Sequence, residues 1–266
     1  MKQILTIAGS DSGGGAGIQA DIKAISANGG FAMSVITSVT AQNTVAVTDA
    51  YDLPIPLIES QLDAVFSDFD VASVKTGMLS SQMIVETVAR KLKEYNPEVI
   101  VVDPVMISKS KFPLLKAEAI DSLKKSIIPL ATLLTPNIYE AELLANKQIQ
   151  TIDDAKSAAK TISELGCEAV LVKGGHLSNE KNAIDVLFWE GKWSYFEAPR
   201  IETKNTHGTG CTYASAIATH LAGGKNLDEA IHASKRYITD AIKHAIDIGN
   251  GNGPTHHFYF MNPPIL

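Results

Sequence analysis

Short apolar runs alternate with longer segments of helical period along almost the whole chain, and this alternation constrains the fold more than any single motif. Strand candidates lie at residues 3–8, 32–40, 71–75, 99–102, 131–134 and 169–172. Helix candidates lie between them at about 17–28, 57–66, 82–95 and 116–128, and a further one, which Asp153 can cap, runs to Leu165. Val99-Ile100-Val101-Val102 is apolar throughout, as a strand covered on both faces must be. The pattern predicts an α/β fold: a doubly wound, mostly parallel central sheet with helices on both faces. Residues 184–198 depart from it. Two apolar runs flank Glu190-Gly191-Lys192, which predicts an antiparallel hairpin at the sheet edge. A long helix is expected from Leu227 to about Ile248, with Asn226 and Glu229 as its capping box. The chain carries no repeat, low-complexity stretch or linker, so 1–266 reads as one domain, and a 45% hydrophobic content is ample for one core.

Polar or glycine-bearing clusters follow the strand candidates: Gly9-Ser10-Asp11, Gln42-Asn43, Lys75-Thr76-Gly77-Met78, Asp103-Pro104-Val105, Asn137 and Lys173-Gly174-Gly175. In open parallel sheets ligands bind beyond the carboxyl ends of the strands, so these clusters are expected on one rim. Asn205-Thr206-His207-Gly208-Thr209-Gly210-Cys211-Thr212 precedes a run in which Ala214, Ile217, Ala218 and Leu221 recur at helical spacing. Gly208, Thr209, Gly210 and Cys211 are therefore expected to open a helix, where unpaired N–H groups and the helix dipole favour an anion. Cys211 would lie in that field, which lowers a thiol's pKa and favours a basic thiolate. A structural loop holding a small buried thiol is the plainer alternative.

Bulk properties limit the partners. A net charge of −6 and a pI near 5.6 leave no basic footprint for nucleic acid. Cys167 and Cys211 are the two cysteines; they have no metal-ligand spacing and suit a reducing cytoplasm. The N-terminal apolar stretch is too short for a signal peptide or a membrane span. An acidic protein must hold an anion with local devices. Lys173 beside two glycines can meet phosphate oxygens, Asp103 and Glu140 can hold Mg²⁺, and the Gly208–Cys211 turn can hold a transferring phosphoryl group.

The stretch from Ala8 through Gly-rich residues 13–17 to Asp21 resembles the opening of the hydroxymethylpyrimidine/phosphomethylpyrimidine kinases of thiamin biosynthesis. Thr40-Ala41-Gln42-Asn43-Thr44, Lys75–Leu79, Asp103–Met106, Thr135-Pro136-Asn137 with Glu140, Val172–His176, Thr206–Thr212 and Gly251–Phe258 resemble the same family. The resemblance implies a ribokinase-like fold, ATP and Mg²⁺. It implies phosphoryl transfer to 4-amino-5-hydroxymethyl-2-methylpyrimidine and then to its monophosphate. By position it implies that Gln42 meets the aminopyrimidine edge and that Gly9 and Asp21 line the substrate pocket. Met78 and Val105 would sandwich the ring. Asn137, Glu140, Lys173 and Gly175 would serve nucleotide and metal, and Cys211 would be the base where many superfamily members carry aspartate. A cytoplasmic homodimer without nucleic-acid or membrane partners is expected. One departure is Ser108-Lys109-Ser110-Lys111-Phe112-Pro113, where the family more often has a Gly-rich stretch.

Other readings stand beside these. Asp21 can be a solvated helix residue, Gln42 a strand-end cap, Met78 a core residue, Asp103 a turn former and Glu140 an acid complementing a helix dipole. His207 is either a phosphate donor or a loop filler; Lys109 and Lys111 reach a phosphate or water. His220, His232 and His244 are expected on helix surfaces. A pyridoxal kinase of the same superfamily and a non-catalytic vitamin- or nucleotide-binding protein are the rival functions. Gln42-Asn43 favours the aminopyrimidine, because an amide both donates and accepts. Cys211, Lys173, Asp103 and Glu140 together favour catalysis.

Overall fold

The computed structural model describes residues 1–106, 115, 117–176 and 182–261. The first half of the chain runs β1 (Gln3–Asp11), α1 (Gly17–Ala27), β2 (Phe31–Gln42), β3 (Val47–Asp52), α2 (Ile55–Phe66), β4 (Val71–Thr76), α3 (Gln82–Tyr95) and β5 (Ile100–Val102). The second half runs α4 (Ala117–Ser122), β6 (Leu133–Leu134), α5 (Ile138–Ala145), α6 (Ile152–Ser163), β7 (Ala169–Val172), β8 (Asn182–Trp189), β9 (Lys192–Pro199), α7 (Thr209–Ala222) and α8 (Leu227–Lys243). These strands form one 9-stranded sheet in the order β3-β2-β1-β4-β5-β6-β7-β8-β9. The neighbours from β2 through β7 are parallel, while β3 at one end and β8 and β9 at the other pair antiparallel.

The period of two along each strand divides the core between the two faces. Leu5, Ile7, Val170 and Val172 pack with α2, α3, α5 and α6, in a cluster that includes Ile58, Ile84, Val88, Ala141 and Ile162. Ile4, Val101, Ala169 and Leu171 face the other way, against Ile25 of α1, Ile217 of α7 and Ile231 of α8. Because β1, β2 and β4 to β7 are parallel, their carboxyl ends meet at one edge of the sheet, and the polar clusters that follow them share that edge.

Several boundaries differ from the periodicity. β3 is not evident from sequence pattern: Val47 alone is buried and Thr48 to Tyr51 are exposed, so no apolar face marks it, and pairing with β2 is what makes it a strand. The helix expected at 116–128 is α-helical only to Ser122; a π turn follows at Leu123–Ile127 and a 3₁₀ turn at Ile128–Leu130. Pro129 lies in that last turn and has no N–H to continue an α ladder. α6 is capped by Thr151, not Asp153: the Thr151 hydroxyl accepts from the Asp154 N–H at 3.1 Å, and the Asp154 carboxylate takes the Thr151 N–H at 3.0 Å. α8 begins with the expected Asn226/Glu229 box but stops at Lys243, short of Ile248. There the returning C-terminal segment takes over, with the His256 N–H on the Ala241 carbonyl at 2.9 Å and Tyr259 stacked on His244. His232 and His244 are exposed as expected, while His220 is half-buried.

Candidate active site

A cavity of about 1140 Å³ opens at the carboxyl edge of the sheet, lined from β1, β2, the loops after β4 to β7, and the start of α7. It brings together Gly9, Gln42, Met78, Asp103, Val105, Asn137, Glu140, Lys173, Gly175, Gly208, Thr209, Gly210 and Cys211, but not Asp21. Ser108, Lys109, Ser110, Lys111, Phe112 and Pro113 lie outside the described residues.

α7 opens as the glycine pattern predicts. Gly208 is the residue before its first turn, at φ 78° in the left-handed region, and a Cβ there would collide with the Gly15 carbonyl oxygen. The Thr209 N–H turns back to the Thr206 carbonyl at 3.3 Å, so the first-turn N–H groups of Gly210 and Cys211 are the ones left to favour an anion in the cavity. A methyl on Gly210 would stand 3.4 Å from both Lys173 Nζ and Asp103 Oδ2, so the turn faces that pair. Lys173 Nζ donates to Asp103 Oδ1 at 2.7 Å. Burial alone would lower the Lys173 ammonium, but Asp103 and Glu140 override it and raise its pKa. Glu140 is 4% exposed and accepts backbone N–H groups of Asn137 and Met106. Burial, then nearby Asp103, raises its carboxyl to about 7 despite the attraction of Lys173. Negative charge here is thus under-compensated. No group of three or more His, Cys, Asp or Glu side chains fit to hold a metal occurs among the described residues. Asp103 and Glu140, sharing the Lys173 ammonium, fit Mg²⁺ of the kind completed by water and phosphate oxygens. Asn137 spends its side-chain oxygen on the Glu140 N–H at 2.9 Å, capping α5.

Two expectations are corrected. Asp21 is fully buried on the inner face of α1 instead of lining the pocket: its carboxylate accepts from Lys75 Nζ at 2.9 Å, Thr6 Oγ1 at 2.6 Å and Ser215 Oγ at 2.8 Å. Burial of the Lys75 ammonium is outweighed by Asp21, which raises its pKa. Cys211 is not a low-pKa thiol. Burial pushes it up to about 12; Lys75 and the Gly17 N–H pull it down, but Asp21 and Asp103 push with burial.

Other residues were missed from sequence. Asp185 on β8 accepts the Gly174 N–H at 3.0 Å, Tyr213 OH at 3.1 Å and Lys235 Nζ at 2.7 Å, so it anchors the turn after Lys173. Its one sequence signal is a carboxylate inside the apolar run Ala183-Ile184-Asp185-Val186-Leu187. His207, left open above, bonds Asp11 Oδ2 through Nε2 at 2.9 Å. Its main chain is pinned by the returning tail, with its N–H on the Gly253 carbonyl at 3.0 Å.

Gly9 admits Met78: a Cβ at Gly9 would collide with the Met78 methyl. Met78 and Val105 thus give an apolar part to the lining of the cavity that Gln42 and the α7 turn also line.

The phosphomethylpyrimidine kinase family model matches residues 11–256. The hydroxymethylpyrimidine/phosphomethylpyrimidine kinase of Haemophilus influenzae is 45% identical, with 98% of each chain covered. The thiamine biosynthesis bifunctional protein ThiED of Geobacter sulfurreducens is 50% identical over 96% of this chain, which spans only 52% of that longer protein. Among solved structures, an ADP complex of Bacillus subtilis pyridoxal kinase superposes with a TM-score of 0.91 at 37% identity, covering 98% of both chains. The match extends from the β1 loop to the tail that braces His207, and the chain belongs to the phosphomethylpyrimidine kinase family.

Proposed function

We propose that this chain is a kinase that uses ATP and Mg²⁺ to phosphorylate 4-amino-5-hydroxymethyl-2-methylpyrimidine and then its monophosphate, in thiamin biosynthesis. The observation that carries this reading is one cavity lined at once by Gln42, by Met78 and Val105, and by the α7 N-terminus beside Lys173. Gln42 takes the aminopyrimidine edge, and Gly9, Met78 and Val105 hold the ring faces. The hydroxymethyl group then points toward Cys211. The amides of Gly208 to Cys211 bind the migrating phosphoryl group, and Lys173 balances its charge. Asn137 and Gly175 stand on the nucleotide side. Asp103 and Glu140 would hold Mg²⁺, which supplies charge neutralisation on the transferring group. Since Cys211 is held neutral in the free protein, it serves as a base only once bound cationic charge lowers its pKa. Under this reading the enzyme works in the cytoplasm. No helix among the described residues is long and apolar enough to cross a membrane.

An ATP-coupled assay run in parallel with the aminopyrimidine, its monophosphate and pyridoxal tests this. Turnover of the first two acceptors is expected. Turnover of pyridoxal alone would favour the pyridoxal kinase reading, and nucleotide binding without turnover of any acceptor would sink catalysis.

A further inference from the structure

Asp11 sits at the end of β1 with its carboxylate surrounded by donors. Oδ1 accepts the Gly13 N–H at 2.8 Å; Oδ2 accepts those of Gly15 at 3.1 Å and Ala16 at 2.8 Å and lies 2.9 Å from His207 Nε2. Burial works against the charge, but hydrogen bonds from His207, Ala16 and Gly13 override it and hold Asp11 below the usual carboxylate range. An ionised carboxylate can only accept, so His207 Nε2 must carry its hydrogen. That fixes the imidazole tautomer at this nitrogen.

The same Nε2 lies 3.3 Å from one terminal atom of the Gln42 amide, and Thr40 Oγ1 lies 3.1 Å from the other. Amide nitrogen and oxygen are alike in shape, so their placement follows from the hydrogen bonds available. With nitrogen toward the ring, two donors would face each other. With oxygen toward the ring, the Nε2 hydrogen is shared by Asp11 and Gln42. The Gln42 NH₂ then donates to Thr40 Oγ1, whose own hydrogen goes to the Ser10 carbonyl at 3.0 Å. Every partner is matched in this second arrangement alone.

We infer that Asp11 through His207 on one side, and Thr40 on the other, lock the Gln42 amide with its oxygen toward His207 and its NH₂ toward Thr40. These are positioning residues that set which hydrogen-bonding edge the cavity accepts. One N–H and one oxygen lone pair of Gln42 remain for a ligand, in fixed order. A 4-aminopyrimidine, held with its 5-hydroxymethyl group toward the α7 turn, offers an acceptor nitrogen beside a donor amine and matches that order. Its 4-oxo analogue offers N–H beside C=O, the reverse, and would have to turn the amide against both locks. The inference rests on the reading of Gln42 as the contact to the pyrimidine edge.

The test is the ratio of kcat/KM for the 4-amino substrate over its 4-oxo analogue, measured in the wild type, Gln42→Leu, Thr40→Val and His207→Leu. Each ratio is internal to one protein, so a general loss of activity or stability cancels. Thr40→Val keeps shape and fold should His207→Leu disturb the turn. The wild-type ratio is expected at about a hundredfold, falling about tenfold in Thr40→Val and in His207→Leu and close to one in Gln42→Leu. An unchanged ratio in Gln42→Leu would remove the Gln42 contact, and the lock with it. A collapsed ratio in Gln42→Leu with wild-type ratios in both other variants would leave the contact standing and overturn the lock.

Discussion

A thiol at a helix N-terminus gains from the dipole, yet burial beside Asp21 and Asp103 pushes Cys211 up to about 12. Two consequences are measurable. Alkylation of Cys211 by iodoacetamide in the nucleotide-free protein should be slow at pH 7 and still be climbing, without a plateau, at pH 10, with Cys211→Ala as the control; fast labelling at pH 7 would mean an activated thiolate. Cys211→Ala should also slow transfer to the hydroxymethyl group by about 10²–10⁴-fold in single turnover. The monophosphate acceptor has a second pKa near 6 and is already largely anionic at pH 7, so that transfer should suffer much less. Equal slowing of both would leave the thiol without a role as base. Glu140 titrates in the opposite sense to a paired carboxylate. Its folded pKa of about 7 lies above the ordinary 4.5, so the fold favours the protonated form. That contribution is complete below 4.5 and is lost as pH rises through 7, on the order of 3 kcal/mol. Glu140→Gln keeps the helix cap and removes the charge. Its melting temperature relative to wild type should climb between pH 4.5 and 7 without ligand, and a constant difference would contradict the assignment.

α7 works as an anion site because two other segments hold its first turn. Gly208 rests against the β1–α1 loop at Gly15, and the tail pairs with His207 and sets His257 Nε2 2.9 Å from Thr212 Oγ1. Burial lowers His257 to about 4, so it is neutral at pH 7. Gly208→Ala puts a Cβ into the Gly15 carbonyl at a positive φ, with an expected cost on the order of 1–3 kcal/mol in urea unfolding. Turnover should fall further than stability, because the amides move with the turn. Wild-type values for both would show that the turn yields without consequence.

At the scale of the whole molecule, β3 leaves an apolar surface at one end of the sheet. Val39 and its cross-strand partner Tyr51 are 42% and 69% exposed, and Val45 in the β2–β3 connection is 58% exposed. An edge strand with such a face needs a cover. A second copy of the chain is the proposed cover, giving the homodimer expected of this chain. Light scattering should find about twice the 28.4 kDa chain mass for wild type and the chain mass itself for Tyr51→Glu. A monomeric wild type would refute the pairing.

The alternation of apolar runs and helical periods was enough to predict the parallel sheet, the β8–β9 hairpin and the shared rim, because burial on both faces imposes that pattern locally. The turn before α7 was legible for the same reason: Gly-x-Gly has a backbone meaning wherever it stands. β3 was not, since of its residues only Val47 is buried and its shape comes from pairing with β2. Nor was the protonation chemistry. Asp21 is 54 residues from Lys75, Asp185 is 50 from Lys235 and His207 is 196 from Asp11, so no local pattern records these pairs. Sequence placed Cys211 in the field of a helix, which is a local property. The tertiary structure decided that it is a neutral thiol, because desolvation depends on everything that surrounds it.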